Sequence, residues 1–118
     1  MKYALLIYPK PGSHETLSPQ EYAPVNAAYL ALRDDPRCIG GAHLQGSETA
    51  TTVRHGQRGA LITDGPFADT REVLGGYYVL EASDLDDALE FVHKIPAIRL
   101  GGAVEVRPLM DIPSEDAF

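Results

Sequence analysis

The stretch that decides the fold is Lys2-Tyr3-Ala4-Leu5-Leu6-Ile7-Tyr8. Both alternating sets of this run are apolar, the set through Leu5 as well as the set through Leu6. A strand with apolar side chains on both sides is covered on both of its faces. The pattern therefore predicts a central strand of a sheet.

Two amphipathic helices are predicted further along the chain. Ser18-Pro19-Gln20-Glu21 combines a capping serine, a proline at the first helical position and a glutamate in the capping-box position, and the helix is expected to stop at 34–36. Its apolar stripe consists of Tyr22, Val25, Tyr29 and Leu32. The second helix begins after Ser83 or Asp84 and ends at Pro96, before a loop at 97–102, and its stripe consists of Leu85, Ala88, Leu89 and Val92.

Further strands are predicted at 38–44, 49–54, 60–63, 76–81 and 103–110, with a hairpin connection at 55–59 and Pro108 indicating a sheet edge. This order contains two strand-helix-strand crossovers, which place both helices on one face of a sheet. The fold predicted is an α+β ferredoxin-like sandwich with an added hairpin. Because the first strand is apolar on both sides, the open face is expected to pack against a second copy, giving a homodimer.

Composition limits the remaining possibilities. The chain of 118 residues is 44% hydrophobic and has no long apolar run, which predicts one soluble domain over 1–110 and a loose tail over 111–118. A net charge of −7 argues against nucleic-acid and membrane partners. The single Cys38 and the absence of a secretory pattern after Met1 favour a cytoplasmic location.

The stretch most typical of a functional site is Thr63-Asp64-Gly65-Pro66-Phe67-Ala68-Asp69-Thr70-Arg71-Glu72. Its first half predicts a stiff turn that can hold a carboxylate in one place. Asp64 is a candidate general base or substrate anchor, with a pKa raised by burial beside Phe67. The alternative is that Asp64 only bonds the backbone of its own turn. Asp69 is expected to cap a helical turn that Gly75 closes, and it is also a candidate substrate contact.

Other candidate residues surround this turn. His43 is a possible proton carrier if its strand lies beside the turn, although strand histidines are often partly exposed fillers. Arg71 could hold a substrate carboxylate, or it could pair with Asp69 or Glu72. Tyr8, Phe67 and Tyr78 are expected in the core first and as pocket walls second. The spacing of the four histidines and one cysteine predicts no metal site, and no glycine pair has the context of a cofactor phosphate loop.

These motifs resemble those of the DGPF-domain proteins in the YCII-related superfamily. The similarity includes Met1-Lys2-Tyr3 with Leu5-Leu6-Ile7-Tyr8, the segment Thr49 to Arg54, Asp64-Gly65-Pro66-Phe67, Leu74-Gly75-Gly76-Tyr77-Tyr78, and Gly101-Gly102 with 104–108. The resemblance implies a dimeric α+β barrel, a bacterial source and gene neighbourhoods with extracytoplasmic-function sigma factors. It also implies a histidine on the first helix paired with an aspartate, but residues 18–34 contain no histidine.

Two hypotheses for function follow. In the first, the protein is a small dimer that performs cofactor-free proton transfer, isomerisation or elimination on a small polar or carboxylated molecule, with Asp64 as base or orienting group, His43 as proton carrier and Arg71 as anion clamp. In the second, it is a non-catalytic ligand-binding or regulatory module associated with a sigma factor.

Overall fold

The computed structural model describes residues 1–67 and 72–111. Its helices and strands, in chain order, are β1 (Lys2–Tyr8), α1 (Pro19–Leu32), β2 (Cys38–His43), β3 (Thr51–Gly56), β4 (Gly59–Asp64), β5 (Gly76–Glu81), α2 (Leu85–Val92), α3 (Pro96–Arg99) and β6 (Ala103–Pro108), with one 3-10 turn at Ser47–Thr49. No helix within this part of the chain is both long and apolar enough to cross a membrane. The mixed α+β class predicted from the sequence is confirmed.

The main sheet has four strands in the order β2-β5-β1-β6. All three pairings are antiparallel, and β1 lies between β5 and β6. This is the ferredoxin-like arrangement, in which the two strands joined by each helical crossover have one other strand between them. The apolar character of β1 on both sides therefore correctly indicated a central strand, and β6, which contains Pro108, is at the predicted edge.

One face of the sheet packs on the helices and forms the core. Tyr3, Leu5 and Ile7 are buried on this face, and Leu5 pairs with Tyr78 on one neighbour and with Val106 on the other. Tyr78 makes an edge-to-face contact with Phe91 of α2 at 5.4 Å between ring centroids. Phe91 is fully buried, whereas Leu85, which the predicted stripe placed in the core, is half exposed at the first turn of α2.

Helix α1 begins as its sequence predicts. Ser18 Oγ accepts a hydrogen bond from the Glu21 backbone N–H, and the Glu21 side chain accepts one from the Ser18 N–H, which completes a capping box. The helix continues through Pro24 and buries Val25 and Leu32. Its stripe therefore places Tyr29 between the core and the loop after β1.

Two predictions about local structure were wrong. Helix α2 ends at Val92, and Pro96 begins the short helix α3 instead of a loop, because proline fits the first turn of a helix, where its missing N–H costs no bond. Residues 72–75 contain no helical turn. Asp69, the expected cap of that turn, lies outside the described residues, as does the predicted tail from 112 onward.

Arg37 ties the start of β2 to α2. Its guanidinium contacts Asp35 at 2.7 Å, Asp87 at 2.9 Å and Glu90 at 2.7 Å, and it lies over the Phe91 ring. Hydrogen bonding to Arg37 lowers the pKa of Asp35 to about 2. We refer to Asp35, Arg37, Asp87 and Glu90 as the arginine clamp.

Strand β2 needs a glycine where it passes β5. Gly41 has a φ of +150°, and a Cβ there would lie 2.5 Å from the Tyr77 carbonyl oxygen. A register shift between Cys38 and Gly40 adds an irregularity to the same strand. These features make β2 irregular before it ends at His43.

Strands β3 and β4 form a separate two-stranded sheet inserted between β2 and β5. We call this hairpin, residues 51–64, the arm. The whole molecule is flat, with extents of 49 × 41 × 19 Å, so that one sheet and one helix layer account for its thickness. The second face of the main sheet, which we call the open face and which includes Ala4, Leu6, Tyr77 and Val79, has no covering layer within the described residues.

Candidate functional site

A cavity of about 540 Å³ lies on the helix side of the sheet. Its walls come from the loop after β1, from α1, from the end of β2 and from residues 73–78. The ionisable side chains on these walls include His14, Tyr29, His43 and Tyr78. The cavity is large enough for a small organic molecule.

His14 and Tyr29 form a direct contact in the wall. His14 Nε2 lies 2.9 Å from Tyr29 Oη, and His14 Nδ1 lies 2.9 Å from Ser13 Oγ. Turns in the preceding loop hold the imidazole in place, since the Ser13 N–H donates to the Lys10 carbonyl and the Leu17 N–H donates to that of His14. Both ring nitrogens therefore have partners, which restricts the orientation of the ring.

The environment favours the neutral forms of both groups. Burial lowers the pKa of His14, with Glu15 opposing this shift and the charge of His43 reinforcing it. Burial also raises the pKa of Tyr29, which the backbone of Ala97 partly offsets. At neutral pH the pair consists of an imidazole that can accept a proton and a phenol that can donate one.

His43 and Tyr78 also line this cavity, so the structure brings His43 to the same cavity as His14. His43 is exposed at the end of β2, close enough for its charge to affect the pKa of His14. Tyr78 is buried, and its hydroxyl donates to the Tyr29 carbonyl at 2.9 Å. Desolvation raises the pKa of Tyr78 to about 12, so its hydroxyl stays protonated at neutral pH. Tyr78 therefore forms part of the cavity wall, and its hydrogen bond to Tyr29 stabilises the position of α1.

The turn around Asp64 is elsewhere and is exposed. Gly65 has the positive φ that was predicted, +94°, and its N–H donates to the Ala50 carbonyl at 2.7 Å. Thr52 Oγ1 donates to the Gly65 carbonyl, so the turn is fixed by its backbone. The Asp64 side chain is exposed, forms no hydrogen bond with a described residue and lines neither of the two cavities named in this section. The predicted burial of Asp64 beside Phe67 was wrong.

The other residues predicted to contact a substrate do not lie together. Phe67 is 71% exposed, with the Arg54 guanidinium 5.4 Å from its ring centre. Tyr8 lines a second, more open groove of about 910 Å³ between the turn and the edge of the open face. Asp69 and Arg71 lie outside the described residues. The predicted substrate-binding set is therefore not a single cluster among residues 1–67 and 72–111.

The remaining charged groups at the cavity are of both signs. Lys10 and Arg33 lie on its walls together with Glu15 and Glu48. No group of three or more His, Cys, Asp or Glu side chains in the described part of the chain is placed to hold a metal ion. The imidazole and phenol groups of His14 and Tyr29 are placed for proton transfer between them.

Sequence reasoning missed the pairing of His14 with Tyr29. The sequence places Tyr29 on the stripe of the first helix, and His14 lies in the loop before that helix. The two are fifteen positions apart, and neither has a motif around it. The available signal was an aromatic hydroxyl on the helix stripe facing a loop that contains a serine-histidine pair.

Comparison with known proteins agrees with this fold. Residues 1–113 match the family model described as the YCII-related domain. An uncharacterised protein of Rhizobium meliloti (strain 1021) is 41% identical over 69 residues, a stretch that is 58% of this chain and 56% of that relative. A solved structure with a TM-score of 0.56 and 20% identity is TftG, the 5-chloro-2-hydroxyhydroquinone dehydrochlorinase of Burkholderia phenoliruptrix AC1100, in complex with 2,5-dihydroxybenzoquinone. That match includes 93% of this chain and 94% of the other, and it shows a shared fold.

Proposed function

This chain belongs to the YCII-related family, and from that premise we propose that it is a cofactor-free acid/base enzyme of the lyase or isomerase type. Its substrate is a small polar molecule bound in the 540 Å³ cavity. The observation that supports this most directly is the 2.9 Å contact between His14 Nε2 and Tyr29 Oη in the cavity wall.

The proton path follows from the hydrogen bonds of the pair. In the tautomer that we propose, neutral His14 donates from Nδ1 to Ser13 Oγ and accepts at Nε2 from the Tyr29 hydroxyl, across the two 2.9 Å contacts. When a substrate proton moves to Tyr29 Oη, the tyrosine proton moves to His14 Nε2. Tyrosine is neutral before and after this transfer, and the imidazolium that forms retains Ser13 as its acceptor.

The second half of the reaction needs a proton donor on the other side of the substrate. His43 lines the cavity and is exposed, so it can exchange protons with water. In an elimination, the electron pair of the broken C–H bond forms a double bond and expels the leaving group, which His43 protonates or which leaves as an anion. In an isomerisation, His43 donates a proton taken up from water to a different atom of the substrate, and His14 releases the proton that it accepted to water.

The reaction of the fold neighbour supports the elimination type. TftG is a dehydrochlorinase, and dehydrochlorination removes a proton and a chloride from one molecule. At 20% identity this similarity does not transfer the substrate. It makes hydroxylated, halogenated rings a reasonable first class of molecule to test on this chain.

The same proposal includes a cytoplasmic homodimer. The open face exposes apolar side chains from both central strands, including Leu6 opposite Tyr77 and Ala4 opposite Val79. Packing this face against the open face of a second copy would remove those side chains from water and cover the second side of each sheet. Light scattering is expected to give twice the chain mass of 12.8 kDa.

The activity is tested by turnover without added metal or cofactor. Chlorinated hydroxyhydroquinones and small halogenated or hydroxylated acids are incubated with the protein in D2O, with chloride release and deuterium incorporation followed by NMR. We expect turnover of at least one class, and a loss of about a hundredfold or more in His14→Gln, because a positioned general base contributes about that much.

The matched control is His55→Gln, which removes an imidazole from the arm tip, outside the cavity. This variant should retain wild-type turnover. Equal rates in the His14 and His55 variants would contradict the assignment, and ligand binding without consumption would favour a binding module instead of an enzyme.

A further inference from the structure

The arm exposes an apolar surface that its own protomer does not cover. In the register of the hairpin, Val53 pairs with Ile62, so both side chains lie on the same face of the ribbon. Val53 is 63% exposed and Ile62 is 65% exposed. A two-stranded ribbon is only marginally stable in water unless one face is packed against something.

The arm is joined to the body mainly at its base. The backbone bond from Gly65 to Ala50 and the Thr52 hydroxyl bond to Gly65 close the base, and the contacts of β3 and β4 are overwhelmingly with each other. The radius of gyration is 16.5 Å, compared with about 13.5 Å for a compact chain of this length. The hairpin therefore projects from the body.

The base of the arm adjoins the open face. The groove of about 910 Å³ has Ala50 and Pro66 on the arm side and Tyr8, Ala103 and Glu105 on the sheet side. This concave surface thus runs from the edge of the open face to the residues that flank the base of the arm. In a two-fold arrangement, a ribbon that stands beside the open face of its own protomer reaches the same region of the second copy.

Charge also favours a second copy as the partner. Within the arm, Arg54 and Arg58 outweigh Asp64 and give a net charge of +1, so the rest of a chain of net charge −7 carries −8. Neither arginine forms a salt bridge with a described residue. A weakly basic ribbon is thus attracted to the acidic body of another protomer, and long-range attraction of this kind falls with added salt.

We propose that the arm of each protomer packs its Val53–Ile62 face against a second copy of this chain, beside the open sheet face, so that two arms flank the sheet-to-sheet contact. This inference depends on the homodimer proposed above and is independent of the acid/base chemistry. It explains why the hairpin has an apolar pair on an exposed face and why its charge is opposite to that of the body.

The test is the dimer dissociation constant of the Val53→Thr/Ile62→Thr double variant of the full chain, measured by analytical ultracentrifugation. Threonine is β-branched, so the ribbon is retained while apolar surface is removed. Four side chains change per dimer, and we expect the dimer dissociation constant to rise about a thousandfold, or roughly sixfold for each side chain. The control Leu85→Gln, which removes an equally large and half-exposed side chain from α2, should dimerise as the wild type does.

A second variant keeps the test independent of local folding in the arm. Arg58→Glu at the hairpin turn leaves the apolar face intact and should weaken dimerisation by about tenfold at low salt, with a smaller effect at high salt. An unchanged dissociation constant in both variants would overturn the proposed role of the arm but would not contradict the homodimer. A monomeric wild-type protein would overturn both, and neither result would affect the turnover test of His14.

Discussion

The cavity wall and the turn at 64–67 are both rigid, but they differ in access to water. In the cavity, His14 and Tyr29 are half buried, hydrogen bonded to each other and shifted in pKa. At the turn, the backbone is fixed by Gly65 and Thr52, while the Asp64 carboxylate is exposed. A stiff turn is therefore not enough to make a catalytic group, because the group must also lie in a cavity where it can reach a substrate.

The largest effect should come from placing a Cβ at Gly41, in the strand that leads to the cavity wall, compared with one at Gly65 in the turn. At Gly41 the new atom meets the Tyr77 carbonyl oxygen and the φ is also unfavourable, so Gly41→Ala should cost about 3 kcal/mol of unfolding free energy. At Gly65 no atom of residues 1–67 or 72–111, other than its chain neighbours, lies within 4 Å of the new Cβ, and Gly65→Ala should cost only the conformational strain, about 1 kcal/mol. Urea unfolding of both variants checks this, and equal losses would show that the two regions are packed alike.

The next comparison is kinetic. Tyr29→Phe removes the hydroxyl that relays a proton to His14 and should lower kcat by about a hundredfold on the substrate identified by the turnover test. Asp64→Asn should leave kcat near the wild-type value, because the carboxylate lies outside the cavity. A large loss in Asp64→Asn with little loss in Tyr29→Phe would reverse the roles of the two regions.

A smaller effect is expected in the pH profile. His14 must be neutral to accept a proton, and its pKa lies below the usual 6.5, so kcat should hold as the pH falls past 6.5 and then decline in more acidic solution. Glu15→Gln removes the charge that raises this pKa and should move the decline to lower pH, whereas His43→Gln should move it to higher pH. Asp64→Asn should not move it.

The smallest effect concerns the arginine clamp, which anchors the start of the strand that ends in His43. The pKa of Asp35 is about 2 in the folded state, below its ordinary 3.8, so its ionised form stabilises the fold above pH 3.8 and this contribution is lost as the pH falls through 2. Asp35→Asn should therefore cost about 1 kcal/mol at pH 7, since water screens the pair, and almost nothing near pH 2. Denaturant titrations at the two pH values measure the difference.

The strand order and the first helix were predictable because their signals are local. The two-sided apolar pattern of β1 and the capping box at Ser18 each act within a few residues. The second helix was harder. The predicted stripe included Leu85 and omitted Phe91, because periodicity gives the buried face of a helix only approximately. In the structure Phe91 packs against the Tyr78 ring and is buried, whereas Leu85 is half exposed.

The candidate site was less predictable than the fold. The sequence placed His43 near the turn at Asp64 only if its strand lies beside that turn, whereas the structure places His43 in the wall of the cavity that His14 lines. The pair of His14 with Tyr29 depends on a tertiary contact between a loop and a helix. Asp64 illustrates the opposite case. The turn chemistry around Gly65 was read correctly, but exposure depends on what packs over the turn, which local sequence does not specify.

The central place of β1 has a consequence for synthesis. Both of its neighbours, β5 at 76–81 and β6 at 103–108, are made long after it. The most apolar strand therefore leaves the ribosome without a pairing partner until the last third of the chain follows. A fold dominated by such distant pairings forms slowly and exposes an aggregation-prone edge in the meantime, so expression at low temperature or with chaperone support should improve the yield of native protein.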